Sequence, residues 1–282
     1  MNSPLVSIVV PTYYSASWLE KCFSSINGQS YENIELIVVD NHSQDNTQEI
    51  AGRYGARFFV QGPDQKKERV FGAPFQRNYG FKQAKGEYLY YVDADMELPK
   101  NLISECVEIM DKNPDCKAII VAEESFGIGF WAKCKWLERR TYWGDDLVEA
   151  PRFFRKNTLE EFGYLDDMVG ADDWDLALRL RQADQKILRS KNYVMHNEGA
   201  LTLMKLIRKR FLYGKDVIKF QKKHGRKRFY SYFTPFRKSY LKNFPFLLSH
   251  PVLFVGMVFM RACEYGGGAA GIVYSKFLKK TV

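Results

Sequence analysis

The sequence predicts an α/β fold. A mixed, mainly parallel sheet flanked by helices fills residues 1–200, and a basic, apolar, helical membrane-association region fills residues 201–282. Three observations predict it. Short apolar, β-branched runs alternate with helical patterns, as in βαβ units with right-handed crossovers. Several of those runs stop on an acid. The charge divides sharply: residues 1–203 hold 24 Lys and Arg against 31 Asp and Glu, and residues 204–282 hold 18 against 2, so −7 meets +16. The 282 residues, 46% hydrophobic, suffice for one large domain with an appendage or for two small ones. Cys22, Cys106, Cys116, Cys134 and Cys263 are odd in number and lack metal-ligand spacing. They predict reduced thiols in a cytosolic compartment. The apolar run Leu5 to Val10 is short and follows no basic segment, so no signal peptide is expected.

Val6 to Val10 reads as a buried strand closed by Pro11-Thr12-Tyr13-Tyr14. A helix is expected from Ser17, where Ser17-Trp18-Leu19-Glu20 has the form of a capping box, with Trp18, Cys22, Phe23 and Ile26 on its apolar face. Ile34 to Val39 is a second strand, stopping on Asp40. A helix to Tyr54, capped by Gly55, then leads to a strand over Arg57 to Val60. The loop from Gln61 to Phe75 carries Lys66, Lys67 and Arg69, cations that can pair with a phosphate group or simply be solvated. A helix follows from about Gln76-Arg77-Asn78 to Lys85-Gly86. Beyond it the aromatic run Glu87 to Val92 ends on Asp93 and Asp95. Pro99 to Met110 reads as a helix with Pro at its start, Lys117 to Ala122 as a strand, and Val148 to Phe154 as another. Phe126 to Gly144 interleaves aromatic and cationic residues, which suits either an acceptor groove or a helix packed on the body. Thr158-Leu159-Glu160-Glu161 has the form of a second capping box.

In open α/β sheets ligands bind beyond the carboxyl ends of the strands. Pro11–Tyr14, Asp40 and the Asp93/Asp95 pair all belong there. Side chains at i and i+2 of a strand share a face, so Asp93 and Asp95 project together. Such a pair suits Mg²⁺ or Mn²⁺ holding a diphosphate. A lone Asp-x-Asp more often marks an Asx turn, so the weight lies on convergence. Arg77, opening the helix before this strand, is the cation best placed to join them. Asp172, Asp173 and Asp175 crowd a helix start, where the macrodipole accounts for one or two acids. A carboxylate among them facing a cleft can serve as general base. His196 is either an ordinary loop histidine or a metal or phosphate contact.

Taken in order, Pro11-Thr12-Tyr13, Val39-Asp40-Asn41-His42-Ser43-Gln44-Asp45-Asn46-Thr47, Gln76-Arg77-Asn78-Tyr79-Gly80, Asp93-Ala94-Asp95 and Asp172-Asp173-Trp174-Asp175 resemble the family 2 glycosyltransferases of the GT-A fold, inverting enzymes that use nucleotide sugars. The resemblance runs from Val6 to about Gly199. It implies that Pro11, Thr12 and Tyr13 line the nucleotide, that Asp40 binds the base, and that Arg77 meets the nucleotide. It further implies that Asp93 supports the ribose or metal and that Asp95 ligates a Mn²⁺ or Mg²⁺ cofactor, with His196 as an additional ligand. Asp173 corresponds to the catalytic base. Two positions depart from the family pattern: Tyr14 stands where many relatives have Asn, and Asp172 where Glu is commoner, so the base is Asp173 or Asp172.

From Met204 to Lys242 there are 14 basic residues and one acid, Asp216, interleaved with Leu206, Ile207, Phe211, Val217 and Phe220 at helical spacing. That pattern suits a helix on an anionic membrane surface. Phe244 to Met260 is mostly apolar but is interrupted by Pro245, Ser249, His250 and Pro251. A spanning helix needs about 20 apolar residues. A re-entrant or interfacial element is therefore expected, with Tyr265 to Phe277 packing beside it. Nucleic-acid binding would leave the apolar stretch unused and is not expected. With the resemblance, the tail predicts an enzyme on the cytoplasmic face of the membrane. Its donor is a nucleotide sugar, a UDP-sugar by analogy with the family, and its acceptor is polyprenyl-linked, with a phosphate that meets Arg208 and Arg210. Polyprenyl-phosphate glycosyl synthesis and a catalytically silent membrane-binding module are the alternatives. A nucleotidyltransferase would need a Gly-rich phosphate loop after the first strand, which is absent.

Overall fold

The computed structural model describes residues 3–61, 72–166, 168, 170–235 and 237–277. The expected loop cations Lys66, Lys67 and Arg69 lie outside the described residues. The strands are β1 (Val6–Thr12), β2 (Ile34–Asp40), β3 (Arg57–Val60), β4 (Tyr88–Tyr91), β5 (Met96–Glu97), β6 (Cys116–Ile128), β7 (Pro151–Arg155) and β8 (Lys186–Ala200). The helices up to the last long strand are α1 (Ala16–Asn27), α2 (Thr47–Arg53), α3 (Ala73–Gln83), α4 (Leu102–Lys112), α5 (Phe130–Thr141), α6 (Lys156–Glu161) and α7 (Asp172–Gln182). After it come α8 (Leu203–Tyr232), α9 (Lys238–Lys242), α10 (Phe244–Leu248) and α11 (Pro251–Phe277).

The strands form one mixed sheet in the order β3-β2-β1-β4-β7-β6-β8-β5. The β3-β2-β1-β4 half is parallel. From β7 onward the recorded pairings are antiparallel. The chain forms two compact units: Met1–Glu123, Ala150–Asp167 and Asp175–His196 in the first, and Glu124–Glu149, Met168–Trp174 and Asn197–Val282 in the second.

In the first unit the period of two along each strand sorts the core onto two faces. Val6, Ile8, Val10, Tyr88 and Tyr90 pack with α1 and α4. Val9, Ile37, Val39, Leu89 and Tyr91 pack with Phe81 of α3 and Leu176 and Leu180 of α7. Gly80 brings α3 hard against β1, since a Cβ there would lie 2.4 Å from Val9 Cγ1. This close approach fixes where Gln76 and Arg77, one turn earlier, meet the strand ends.

Both expected capping boxes are overturned. α1 starts at Ala16, before Ser17, because the Ala16 N–H donates to Asp45 Oδ2 at 3.1 Å, so a carboxylate distant in sequence satisfies the helix start. Thr158 lies inside α6, and its hydroxyl donates to the Lys117 carbonyl at 3.1 Å instead of capping. α3 reaches back to Ala73 and α4 begins at Leu102, with Pro99 outside it. β7 starts at Pro151 because Asp145 to Glu149 form a turn closed on the Tyr142 and Asp145 carbonyls.

The second unit has its own apolar core, including Cys134, Leu137, Leu206, Leu247, Met257 and Met260. Beside it lies a buried charge network. Lys135 Nζ pairs with Glu138 at 2.7 Å and Glu264 at 3.4 Å, Arg261 with the same two acids at 3.1 and 2.7 Å, and Arg210 with Glu264 at 3.2 Å. Burial pushes the Glu138 carboxyl up, but Arg261 and Lys135 outweigh it and hold Glu138 at about 2. Glu264 is likewise lowered, since Lys135, Arg210 and Arg261 overcome its burial.

Tyr265 to Phe277 does not pack beside the preceding segment; it continues α11 as one helix. Two of its glycines are what the packing requires. A Cβ on Gly267 would lie 2.7 Å from the Ile207 carbonyl oxygen, and one on Gly271 would lie 2.1 Å from that of Phe211. Small residues four apart let α11 press its backbone onto α8. A left-handed Gly225 (φ 81°) breaks α8. No helix among the described residues is long and apolar enough to cross a membrane.

Gly266, unlike Gly271, faces open space. Gly266→Ala should therefore stabilise the protein by about 0.5–1 kcal/mol through helix propensity, whereas Gly271→Ala should destabilise it by about 1–3 kcal/mol through overpacking; denaturant titration compares them. Glu138 and Glu264 have folded-state values below their unfolded ones, so their contribution is complete above about pH 4.5 and is lost as pH falls toward 2. Acid titration should accordingly release the near-ultraviolet circular dichroism signal of the wild type over that window. A Glu138→Gln variant should start from lower stability and show a shallower loss.

Candidate functional site

The first unit builds its polar rim at the carboxyl ends of the parallel strands. Parallel register sets Thr12 of β1 beside Asp40 of β2. The Thr12 hydroxyl donates to Asp40 Oδ1 at 2.8 Å, and Ser43 donates its N–H to Oδ2 at 2.7 Å and its hydroxyl to Oδ1 at 2.6 Å. These donors satisfy a carboxylate that is almost wholly buried. Gln76 of α3 ties the two strand ends together, donating to the Thr12 carbonyl at 2.9 Å and the Val39 carbonyl at 2.7 Å. The Tyr14 N–H donates to Ser43 Oγ at 2.7 Å, fastening the loop after β1 to the loop after β2. Tyr13 and Tyr14 stand edge to face at 4.8 Å, both about half exposed. Pro11 is half-buried below them. Tyr14 (φ 50°) and His42 (φ 56°) adopt the left-handed conformation. Asn occupies that region readily and Tyr at a cost of about 1–3 kcal/mol, which gives the Tyr14 departure a physical meaning.

Further along the rim the charges alternate in sign and follow the order of the strands. Arg77 of α3 donates through Nη2 to Asp93 Oδ1 at 2.9 Å, just past β4. Arg152 of β7 meets Asp93 Oδ2 at 3.4 Å and also pairs with Glu123 of β6. Glu123 Oε2 lies 3.1 Å from His196 Nδ1 of β8, and His196 Nε2 lies 3.3 Å from Asp95 Oδ2, just before β5. Met96 pairs with His196 in the β5–β8 ladder, which fixes this last step. The two guanidiniums enclose the Tyr91 ring, Arg77 at 4.0 Å and Arg152 at 4.8 Å from its centroid. Burial pushes Asp93 up, but Arg77, Arg152 and His196 overcome it and hold its carboxyl at about 2. For His196, burial favours the neutral ring, yet hydrogen bonds and charge from Asp95 and Glu123 hold the imidazolium, with a pKa of about 10.

Asp93 is thus engaged by cations, while Asp95 keeps about a third of its side chain exposed. Among the described residues no group of three or more His, Cys, Asp and Glu forms a metal cage. Cations that grip diphosphates do not need one, because one or two protein donors suffice when substrate phosphates and water fill the rest. The carboxylate of Asp95 has the donor chemistry for Mn²⁺ or Mg²⁺, and the imidazole of His196, a softer donor, suits the transition metal Mn²⁺ better than Mg²⁺. His196 must shed a proton to ligate.

Asp172 and Asp173 open α7 within the second unit, Asp172 buried and Asp173 half-buried. Trp174 anchors that start by donating to the Val148 carbonyl at 3.0 Å. Asp175, fully buried, pairs with Arg179 at 2.8 Å in the first unit and is structural. On α8, Arg208 is exposed and Arg210 is drawn toward Glu264. The sequence reading gave Arg152 and Glu123 no role, although each left a mark. Arg152 interrupts the otherwise apolar Pro151–Phe154, and a cation inside a buried strand requires a partner. Glu123 closes the apolar run Ala118 to Ala122 in the middle of β6, as Asp40 and Asp93 close theirs.

Residues 7–188 match the model of the glycosyl transferase family 2. Glycosyltransferase GlyG of Streptococcus pneumoniae is 36% identical over 117 residues, 40% of this chain and 38% of that protein. Glycosyltransferase EpsJ of Bacillus subtilis is 31% identical over 163 residues, 56% of this chain and 42% of that protein. The chain therefore spans under half the length of these relatives. Among solved structures, the mannosyltransferase PcManGT from Pyrobaculum calidifontis, in complex with GDP-Man and Mn²⁺, superposes with a TM-score of 0.65 at 18% identity, over 98% of this chain and 88% of that one. Glucosyl-3-phosphoglycerate synthase from Mycobacterium tuberculosis, with Mn²⁺ and UDP, gives 0.55 at 16% identity, over 77% and 79%. These likenesses show a GT-A-like fold, and with the match over most of its length the chain belongs to glycosyl transferase family 2.

Proposed function

We propose that the protein transfers a sugar, with inversion, from a UDP-sugar to a membrane-borne, polyprenyl-linked acceptor at the cytoplasmic face of the membrane. The observation that carries this reading is the alternating run of charges beyond the strand ends, which finishes on the partly exposed Asp95 beside His196. Asp95 and His196 would hold Mn²⁺ or Mg²⁺, which when bound offsets the negative charge growing on the departing diphosphate. Solved neighbours support a nucleotide-sugar donor: Staphylococcus aureus TarS is known with UDP-GlcNAc, the mycobacterial synthase with UDP and Mn²⁺, and PcManGT with GDP-Man and Mn²⁺.

The protein's own groups divide the remaining work. The exposed Tyr13 ring offers a stacking face for a base, and Asp40, held rigid by Thr12 and Ser43, sets the edge beside it. Arg77 and Arg152 fix Asp93 as an ionised acceptor for the donor's hydroxyls and keep positive potential near the leaving group. Asp173 takes the proton from the acceptor hydroxyl as it attacks the anomeric carbon; the carbon–oxygen bond to the diphosphate breaks in the same displacement, which inverts the centre. The excess of basic residues after residue 203 supports an anionic surface as the place of reaction. Arg208, exposed on α8, would face the acceptor phosphate, whereas Arg210, two residues on, is drawn to Glu264.

The purified chain, supplied with Mn²⁺, a panel of nucleotide sugars and membrane lipid extract, tests this. The wild type should transfer from a UDP-sugar, and NMR should show the opposite anomer in the product. Asp173→Asn should lose roughly 100-fold or more in kcat while binding UDP unchanged. Full activity in Asp173→Asn would instead mean an acceptor that needs no base, such as the lipid phosphate itself.

A further inference from the structure

Helix α11 is built inside out. Arg261 and Glu264, in its middle, turn into the buried network with Lys135 and Glu138, the two acids nearly inaccessible, and its remaining charge, Lys276, is exposed in the last turn. From Val252 to Tyr274 every exposed residue is uncharged. Val252 and Val255 are 71% and 70% exposed, and Val258, Phe259 and Val273 each more than half. Between Phe259 and Val273 the exposed residues are only Ala and Gly. At about 1.5 Å per residue this stripe runs for roughly 33 Å. A helix facing water carries the opposite arrangement, and a continuous exposed apolar face of this length marks a contact with something apolar.

We propose that this face of α11 lies in the hydrocarbon boundary of an anionic bilayer, parallel to its surface, with the exposed cations of α8 at the headgroups. The inference rests on the membrane part of the proposed function and extends it by naming the surface that enters the lipid. The charge beside the stripe selects the occupant. Among the described side chains of residues 204–277 no acid is exposed, while Lys205, Arg208 and Lys209 are, on the part of α8 that packs against α11 through Gly267 and Gly271. A second copy of the chain would present the same cations and repel them, whereas an anionic leaflet offers an apolar layer and negative headgroups together. No described helix is long and apolar enough to span, and an amphipathic helix that cannot span lies in the interface. The same face opens a wholly apolar hollow of about 620 Å³ lined by Phe130, Trp131, Pro251, Gly256 and the exposed valines, so hydrocarbon can enter as well as cover it.

Vesicle co-sedimentation of the full chain tests the assignment, using phosphatidylcholine with and without phosphatidylglycerol. Wild type should sediment with the anionic vesicles. The double variant Val255→Glu/Phe259→Glu, altered only at exposed positions, should partition at least about tenfold more weakly while its circular dichroism and Mn²⁺-dependent UDP binding stay unchanged. A separate Val255→Trp variant should show blue-shifted emission on vesicle binding, quenched by brominated acyl chains. Equal sedimentation of wild type and double variant, or emission from the Val255→Trp variant that brominated lipid leaves unchanged, overturns the proposal. So does a shift from dimer to monomer in light scattering with vesicle binding intact, which would make the face a contact between copies. Because the readout is binding and not transfer, absence of glycosyl transfer would count against the proposed function alone.

Discussion

Everything functional in the first unit depends on how a set of like charges is kept from repelling itself. Asp93, Glu123 and Asp95 are brought to one rim by the sheet, and each is separated from the next by a cation drawn from the intervening strand. Arg152 on β7 stands between Asp93 and Glu123, and His196 on β8 between Glu123 and Asp95. The strand order β4-β7-β6-β8-β5 is thus also an order of alternating charge. Each inner member of the chain has a partner on either side, so removing one leaves its neighbours with a single counter-charge each. The antiparallel half of the sheet therefore has an electrostatic task that the parallel half, with Asp40 bound by hydroxyls and amides, does not share.

The second unit solves a related problem in the reverse sense. Beside α11 the acids Glu138 and Glu264 are buried and neutralised by Lys135, Arg210 and Arg261, so the exposed charge on the adjoining part of α8 is left to cations. Turning Arg261 and Glu264 inward frees the outer face of α11 to be apolar. The glycines that press α11 onto α8 make that inward turn compatible with close helix packing. Charge inside and hydrocarbon outside is an arrangement suited to lipid, and here it is achieved without a spanning segment among the described helices.

The strands of the parallel half were legible because each is a short β-branched run that ends on a turn or an acid, and burial on both sides enforces that composition. Asp40, Asp93 and Asp95 were legible for the same reason: an acid closing an apolar strand has few places to be except a rim. Helix starts were not. Ser17 and Thr158 sit in capping-box sequences, yet Asp45 satisfies α1 from 29 residues away and Thr158 serves the Lys117 carbonyl. Local motifs lose when a tertiary partner offers a better bond. The continuity of α11 was hidden because Gly266-Gly267-Gly268 signals a break to any local rule, whereas Gly267 and Gly271 are demanded by carbonyls of α8. Arg152 and Glu123 were missed because their meaning depends on antiparallel neighbours that no spacing in the chain encodes.

The charge-ordered rim ends at Asp95 and His196, the pair proposed to hold the cation. Anomalous diffraction from crystals grown with Mn²⁺ and UDP tests that assignment directly. One strong manganese peak is expected in contact with Asp95, within reach of His196 and of the diphosphate, while Asp93 stays with Arg77 and Arg152. A nucleotide bound with no manganese at Asp95, or manganese held by acids elsewhere in the chain, would contradict it.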